Sequence, residues 1–191
     1  MTRIGNNERK TREVNIEVTV DLDGAGEFSG SSGSAFIDHM LRTLCKHGNL
    51  NIAVKATGDL KHHIIEDLAL ALGKAINSAL KEKEGIMRFG YAYVPMDDSL
   101  ARAVVDLGGR AYSKIRLGVR GESIEDTKVE DIVHFLESLA QSMQCNMHVK
   151  VIYGTNDHHR VEAAVKALAL ALRMAFSRTG TRGIPSAKGA I

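Results

Sequence analysis

Apolar and polar residues alternate in several short stretches of the chain, which is the pattern of a half-buried strand. These stretches span residues 13–22, 51–56, 101–107, 111–117 and 146–151. Residues 35–46 and 132–143 instead place apolar side chains three or four positions apart, which predicts helices. Gly108 and Gly109 predict a turn between two of the strands, with Gly109 and Arg110 at the tip of a hairpin.

The second part of the chain repeats the first. The motif HHIIE at 62–66 recurs 96 residues later as HHRVE at 158–162, and each copy opens an Ala/Leu-rich helical stretch. Upstream, His39 recurs at an offset of 95 as His134. A single long period is not that of a solenoid, whose repeats span about 20–50 residues, so it indicates a duplicated half-domain.

The repeat and the alternation together predict an α+β fold. Each half is expected to be a mixed β-sheet with helices packed on one face. Residues 1–90 would form the first half and residues 91–191 the second, within one compact domain. Asp59 and Asn156 are candidate caps for the helices that follow them.

Composition narrows the class of protein. The chain has 191 residues, 44% hydrophobic and 25% charged, which suits one packed domain. A net charge of +2 does not predict a nucleic-acid binder, and apolar runs such as 68–73 are too short to span a membrane. The N-terminus has no apolar signal segment, and Cys45 and Cys145 lie outside any CxxC pair. These features predict reduced thiols in a cytoplasmic protein.

The histidines predict metal binding. In each HHxxE motif the two histidines point about 100° apart on a helix, so they would serve different sites, and the glutamate can share a face with either. Three imidazoles and one carboxylate per ion would leave open positions, which is typical of a catalytic metal. Ligands without thiolate favour Mn, Fe, Co, Ni or Zn, and carboxylate with six-coordination favours Mn or Fe. The expected ligands are His39, His62, His63, Glu66, His134, His158, His159 and Glu162.

Basic and glycine-rich segments indicate a phosphate site. They are Arg88-Phe-Gly90, Gly109-Arg110 and the C-terminal run that contains Ser186 and Lys188. Glycine lets the backbone approach an anion, arginine binds it bidentately, and serine and lysine add a hydroxyl and a charge. The segments do not match a P-loop or a dinucleotide fingerprint.

Seven segments resemble those of the imidazoleglycerol-phosphate dehydratase family, in its monofunctional form. They are DHM (38–40), KHHIIED (61–67), RFG (88–90), PMDDSLA (95–101), DLGGRAY (106–112), GTNDHHRVEA (154–163) and PSAKG (185–189). The resemblance implies a metal-dependent hydro-lyase that converts imidazole glycerol phosphate to imidazole acetol phosphate in L-histidine biosynthesis. It also implies two Mn(II) ions per active site, although the ligands alone do not exclude Fe, Co or Zn, and a 24-subunit shell with active sites between subunits.

The resemblance also assigns roles to residues. It carries the metal ligands over to the eight histidines and glutamates named above. The phosphate-binding positions of the family match His47, Arg88, Arg110, Ser186 and Lys188, and its N-terminal glutamate matches Glu13.

The dehydration that the resemblance implies requires the substrate's imidazole ring to supply the electrons that expel the hydroxyl. Two ions on the two ring nitrogens would stabilise an imidazolate, and a carboxylate would move the protons. Glu13 and Glu162 are the candidates, and their division of roles stays open. A dinuclear metallohydrolase and a non-catalytic metal-binding shell protein remain alternatives, but the second leaves the phosphate residues unexplained.

Overall fold

The structure is a computed structural model, and it describes residues 3–191. The strands are β1 (Ile4–Lys10), β2 (Val14–Asp21), β3 (Phe28–Ser31), β4 (Asn51–Gly58), β5 (Phe89–Met96), β6 (Ser99–Asp106), β7 (Tyr112–Arg116), β8 (Ser123–Ile124), β9 (Thr127–Lys128) and β10 (Asn146–Tyr153). The helices are α1 (Ala35–Gly48), α2 (Lys61–Leu80), α3 (Val129–Ser142) and α4 (Asp157–Phe176). Within this range, none of the helices is both long and apolar enough to cross a bilayer.

The strands form two four-stranded sheets with the same topology. The first has the order β1-β2-β4-β3 and the second has the order β5-β6-β10-β7. In each sheet the last strand of the order runs parallel to its neighbour and the others are antiparallel. Ile4 pairs with Asp21 as Phe89 pairs with Asp106, so the register repeats as well. The predicted α+β class with duplicated halves is confirmed.

Helices from different halves pack against each other. α2 lies on β1 and β2 and contacts α3, whereas α4 lies on β5 and β6 and contacts α1. The inner face of β2 is Val14, Ile16, Val18 and Val20, all buried, and the helices contribute their apolar faces to the same core. The crossed helix contacts bring the histidine motif of each half to a helix of the other.

Two local predictions were wrong. β6 and β7 are not a hairpin, because β10 lies between them and pairs with both. Asp59 does not cap α2, whose N-cap is Leu60 without a side-chain hydrogen bond; the Asp59 carboxylate instead lies against His63. Asn156 does cap α4, where its side-chain oxygen accepts from the His159 N–H.

Candidate metal centre

The first histidine cluster joins α2 to α3. Glu66 is one helical turn after His62, and its carboxylate lies 3.9 Å from His62 Nε2 and 3.3 Å from His134 Nε2. The two imidazole rings are stacked, with centroids 5.5 Å apart. One donor atom from each residue lies within 4.8 Å of the others, which is close enough for all three to bind one ion.

The second cluster joins α1 to α4 and repeats the first. Glu162 Oε2 lies 3.4 Å from His158 Nε2 and 3.6 Å from His39 Nε2. The rings of His39 and His158 have centroids 5.6 Å apart, and the Phe36 ring makes a T-shaped contact with His158. His39 lies on α1, in the first half, whereas His158 and Glu162 lie on α4, in the second half. Each cluster therefore combines side chains from both halves.

His63 and His159 lie outside both clusters. His63 Nδ1 is 2.8 Å from an Asp59 oxygen, and His159 Nδ1 is 2.7 Å from an Asp98 oxygen. The hydrogen bond with Asp59 raises the pKa of His63. Each cluster in one chain therefore contains two imidazoles and one carboxylate, one imidazole fewer than the sequence predicted.

Of the two glutamates expected to move protons, Glu162 belongs to the second cluster. Burial alone would raise the pKa of its carboxyl, but the Lys166 ammonium, 2.9 Å from Oε1, holds that pKa below its ordinary value. Glu13 instead lies on the β1–β2 turn, with Oε2 3.9 Å from His63 Nδ1. The two carboxylates are therefore associated with different histidines of the chain.

Sequence reasoning missed Lys166, although it follows Glu162 by four residues and so shares its helix face. The Lys166 ammonium also lies near His47, on the other side of the α1–α4 contact. Burial and this nearby ammonium lower the pKa of His47.

The residues expected to bind phosphate fall into two regions. Arg88 donates to both carboxylate oxygens of Asp106, at 2.7 and 3.2 Å, and its remaining nitrogen donates to the Pro185 carbonyl at 2.8 Å. Arg88 therefore contacts the C-terminal segment directly before Ser186. Ser186 in turn accepts from the Lys188 N–H at 3.3 Å.

Arg110 is exposed, and its carbonyl accepts from Asn146. A Cβ on the adjacent Gly109 would lie 2.9 Å from the Ile191 carbonyl carbon, so the chain end lies beside this loop. His47 lies far from the C-terminal segment, at a different level of α4. It is near Lys166, whereas the Arg88 N–H donates to the carbonyl of Ala175, nine residues further along that helix. That separation is about 13 Å along the helix axis.

Gly90 has a different role from the one that the sequence indicated. A Cβ at Gly90 would collide with the Ala171 carbonyl oxygen of α4, and Gly5 makes the same approach to Ala75 of α2. The glycine of RFG therefore lets a helix pack closely on the sheet, and it is not a point where the backbone approaches an anion.

Comparisons with known proteins point to one family. A family model described as imidazoleglycerol-phosphate dehydratase matches residues 32–172. The imidazoleglycerol-phosphate dehydratase of Chlorobium chlorochromatii (strain CaD3) is 46% identical over 187 residues, covering 96% of this chain and 95% of the relative. That of Methanocella arvoryzae is 47% identical over 186 residues and 96% of each chain.

Two solved structures share the fold. The Staphylococcus aureus imidazoleglycerol-phosphate dehydratase superposes with a TM-score of 0.84 at 30% identity, over 92% of this chain and 99% of its own. The Pyrococcus furiosus protein superposes with a TM-score of 0.82 at 34% identity, over 96% and 99% of the two chains.

Proposed function

The chain belongs to the imidazoleglycerol-phosphate dehydratase family, and we propose that its two histidine–glutamate clusters hold the metal ions of that dehydration. The reaction converts imidazole glycerol phosphate to imidazole acetol phosphate in L-histidine biosynthesis. The observation that supports this best is the repetition of the cluster. Each cluster contains two imidazoles and one carboxylate from equivalent positions of the repeat, and each lies between helices of different halves.

The donor set suits a divalent ion with nitrogen and oxygen ligands. Neutral imidazole and carboxylate bind Mn(II) well, and Fe, Co or Zn are the alternatives. We assign two Mn(II) ions to each active site. When bound, the ions would act as Lewis acids that stabilise negative charge on the substrate's imidazole ring.

Completion of each site requires a further imidazole from another subunit. His63 and His159 lie outside the clusters of their own chain, and the cluster histidines are 32–49% exposed at the surface. An exposed pair of motifs that face outward can bridge two copies of the chain. This supports active sites between subunits, and from the resemblance to the family we propose a shell of 24 subunits. Removal of metal with a chelator should then reduce the sedimentation coefficient to that of smaller oligomers.

The chain's carboxylates would carry the protons. Dehydration breaks one C–H and one C–O bond, so a base must accept a proton and an acid must protonate the departing hydroxyl. Lys166 favours the ionised form of Glu162, whereas Glu13 is a solvent-exposed carboxylate beside His63. We assign this proton transfer to Glu13 and Glu162 jointly.

The substrate phosphate would bind to the basic residues around the C-terminal segment. Arg88, Arg110, Ser186 and Lys188 supply guanidinium, hydroxyl and ammonium donors, and such charge-assisted hydrogen bonds are the strong ones. His47 lies apart from them in one chain, so we propose that it meets the phosphate across a subunit contact. The free, buried cysteines suit the reducing cytoplasm, where we place the reaction.

The test is turnover of imidazole glycerol phosphate by the purified protein with Mn(II), measured as the enolisable ketone product. His134→Ala should lose both turnover and bound metal. His148→Ala, on the outer face of β10 beside Tyr112, should keep both. Absence of ketone from fully metal-loaded protein would refute the dehydratase, and hydrolysis of a phosphodiester instead would indicate a metallohydrolase.

A further inference from the structure

Four histidines of the two HHxxE motifs have one ring nitrogen beside a carboxylate. His62 Nδ1 lies 2.6 Å from Asp131, in addition to the His63–Asp59 and His159–Asp98 contacts described above. His158 Nδ1 lies 3.3 Å from Glu125, which is a longer contact. The nitrogen in each of these four contacts is Nδ1, whereas Nε2 of His158 lies 3.4 Å from Glu162 and Nε2 of His159 lies 3.7 Å from Asp97.

The choice of nitrogen fixes the tautomer. A neutral imidazole carries one N–H and one lone pair, and an ionised carboxylate can only accept. The proton must therefore be on Nδ1, which leaves the lone pair on Nε2. In His62 and His158, Nε2 is the atom that faces the cluster glutamate. Hydrogen bonds of this kind orient metal-binding histidines in general.

We propose that Asp59, Asp98 and Asp131 are positioning residues that hold His63, His159 and His62 in the Nδ1–H form, with Nε2 presented as the metal-binding atom. This inference rests on the proposed metal-dependent function. It assigns a role to three carboxylates, none of which is itself a proposed ligand.

The two halves divide this role differently. Glu13 and Asp98 occupy equivalent positions, each directly before the second strand of its sheet. Asp98 accepts from the Thr155 N–H and hydroxyl, the Asn156 N–H and His159, so it joins the β5–β6 turn to the start of α4. In the first half Asp59 holds the histidine instead, and Glu13 stays 3.9 Å from it.

Because of this difference, Asp98 and Glu13 are suited to different roles. Hydrogen bonds from Thr155, His159 and Asn156 use the acceptor sites of Asp98, so it is suited to holding a side chain. The Glu13 side chain is 57% exposed and does not hold His63 at hydrogen-bond distance, so it is suited to meeting a substrate.

Asp59 offers the sharper test because it is exposed, and the Leu60 N–H is its other hydrogen-bond donor besides His63. Asp59→Ala removes the acceptor without opening a core cavity. Asp59→Asn keeps an acceptor oxygen, and Asp131→Ala tests the same idea at His62. Glu17→Ala, on the outer face of β2 and paired only with Lys55 among the described residues, removes the same charge at a distance.

The tautomers are measured by solid-state 15N NMR of the metal-free full-length protein labelled at histidine, at pH 9. Asp59→Ala and Asp131→Ala should each move one histidine from Nδ1–H toward Nε2–H, and the Mn(II) dissociation constant should rise about 10- to 100-fold. Asp59→Asn should recover most of both effects, and Glu17→Ala should show neither. Wild-type tautomers in Asp59→Ala, or weakened Mn(II) binding with unchanged tautomers, would overturn the proposal. Because the NMR uses neither metal nor substrate, its result is independent of whether the protein is a dehydratase.

Discussion

Replacement of Gly90 by alanine should separate a helix from its sheet. The new methyl group would overlap the Ala171 carbonyl oxygen and would lie 2.9 Å from the Ala175 backbone nitrogen. Both obstacles are backbone atoms of α4, so no side-chain rotation can relieve the collision. β5 and α4 must therefore move apart by roughly an ångström, the scale on which packed contacts lose a large part of their attraction.

The expected cost follows from overpacking in a close-packed interior. Extra methyl groups that force backbone shifts cost about 1–3 kcal/mol. For a chain of 150–250 residues, each kcal/mol lowers the melting temperature by about 2–4 °C, so Gly90→Ala should melt roughly 2–12 °C below the wild type. Because α4 carries His158 and Glu162, its displacement should also weaken metal binding at the second cluster.

Thermal unfolding of the metal-free protein measures the first effect, and titration with Mn(II) measures the second. Gly121→Ala is the matched control, because its Cβ would meet only ordinary contacts, at 3.4 Å or more. Gly5→Ala should reproduce the loss through α2 and Ala75. If Gly90→Ala melted at the same temperature as the Gly121→Ala control, the close contact of β5 with α4 would not require glycine at position 90.

Two further predictions concern side chains of other regions. Lys188→Ala should raise KM for imidazole glycerol phosphate about 10- to 100-fold with metal content unchanged, because a charge-assisted phosphate contact contributes about 1.5–3 kcal/mol; wild-type KM and kcat would show that the C-terminal segment is passive. Burial raises the pKa of Cys45 and of Cys145 from 9.0 to about 12, so at pH 8 only about one thiol in ten thousand is ionised, against about one in ten at a pKa of 9.0. Iodoacetamide should therefore label both thiols in urea and neither in the native protein, with labelling rising only at strongly alkaline pH.

The sequence predicted the helices and the inner strands because these elements each bury one regular face. β2 and β4 alternate cleanly, and α1 buries residues at helical spacing. β1 escaped prediction because its inner face carries Gly5 in place of an apolar side chain, so that α2 can approach. The false hairpin has another cause. Alternation indicates that β6 and β7 are strands, but it does not encode that β10 inserts between them.

The site was predictable as far as the internal repeat extends. Recurrence of HHxxE and of His39 as His134 singled out the histidines without any knowledge of the fold. Two of the carboxylates that hold them were not predictable, because Asp131 is 69 residues from His62 and Asp98 is 61 residues from His159. Only the tertiary packing of α3 and of the β5–β6 turn brings these partners together.

The crossed clusters explain why each cluster needs two halves. The contact of His39 with the α4 motif and the contact of His134 with the α2 motif are the same contact made twice, as in an interface between two copies of one unit. A single half would carry one histidine on its first helix and HHxxE on its second, and these belong to different clusters. It could complete a cluster only against a second half. Fusion fixes that pairing, and it frees each half to change its own carboxylates, as Glu13 and Asp98 illustrate.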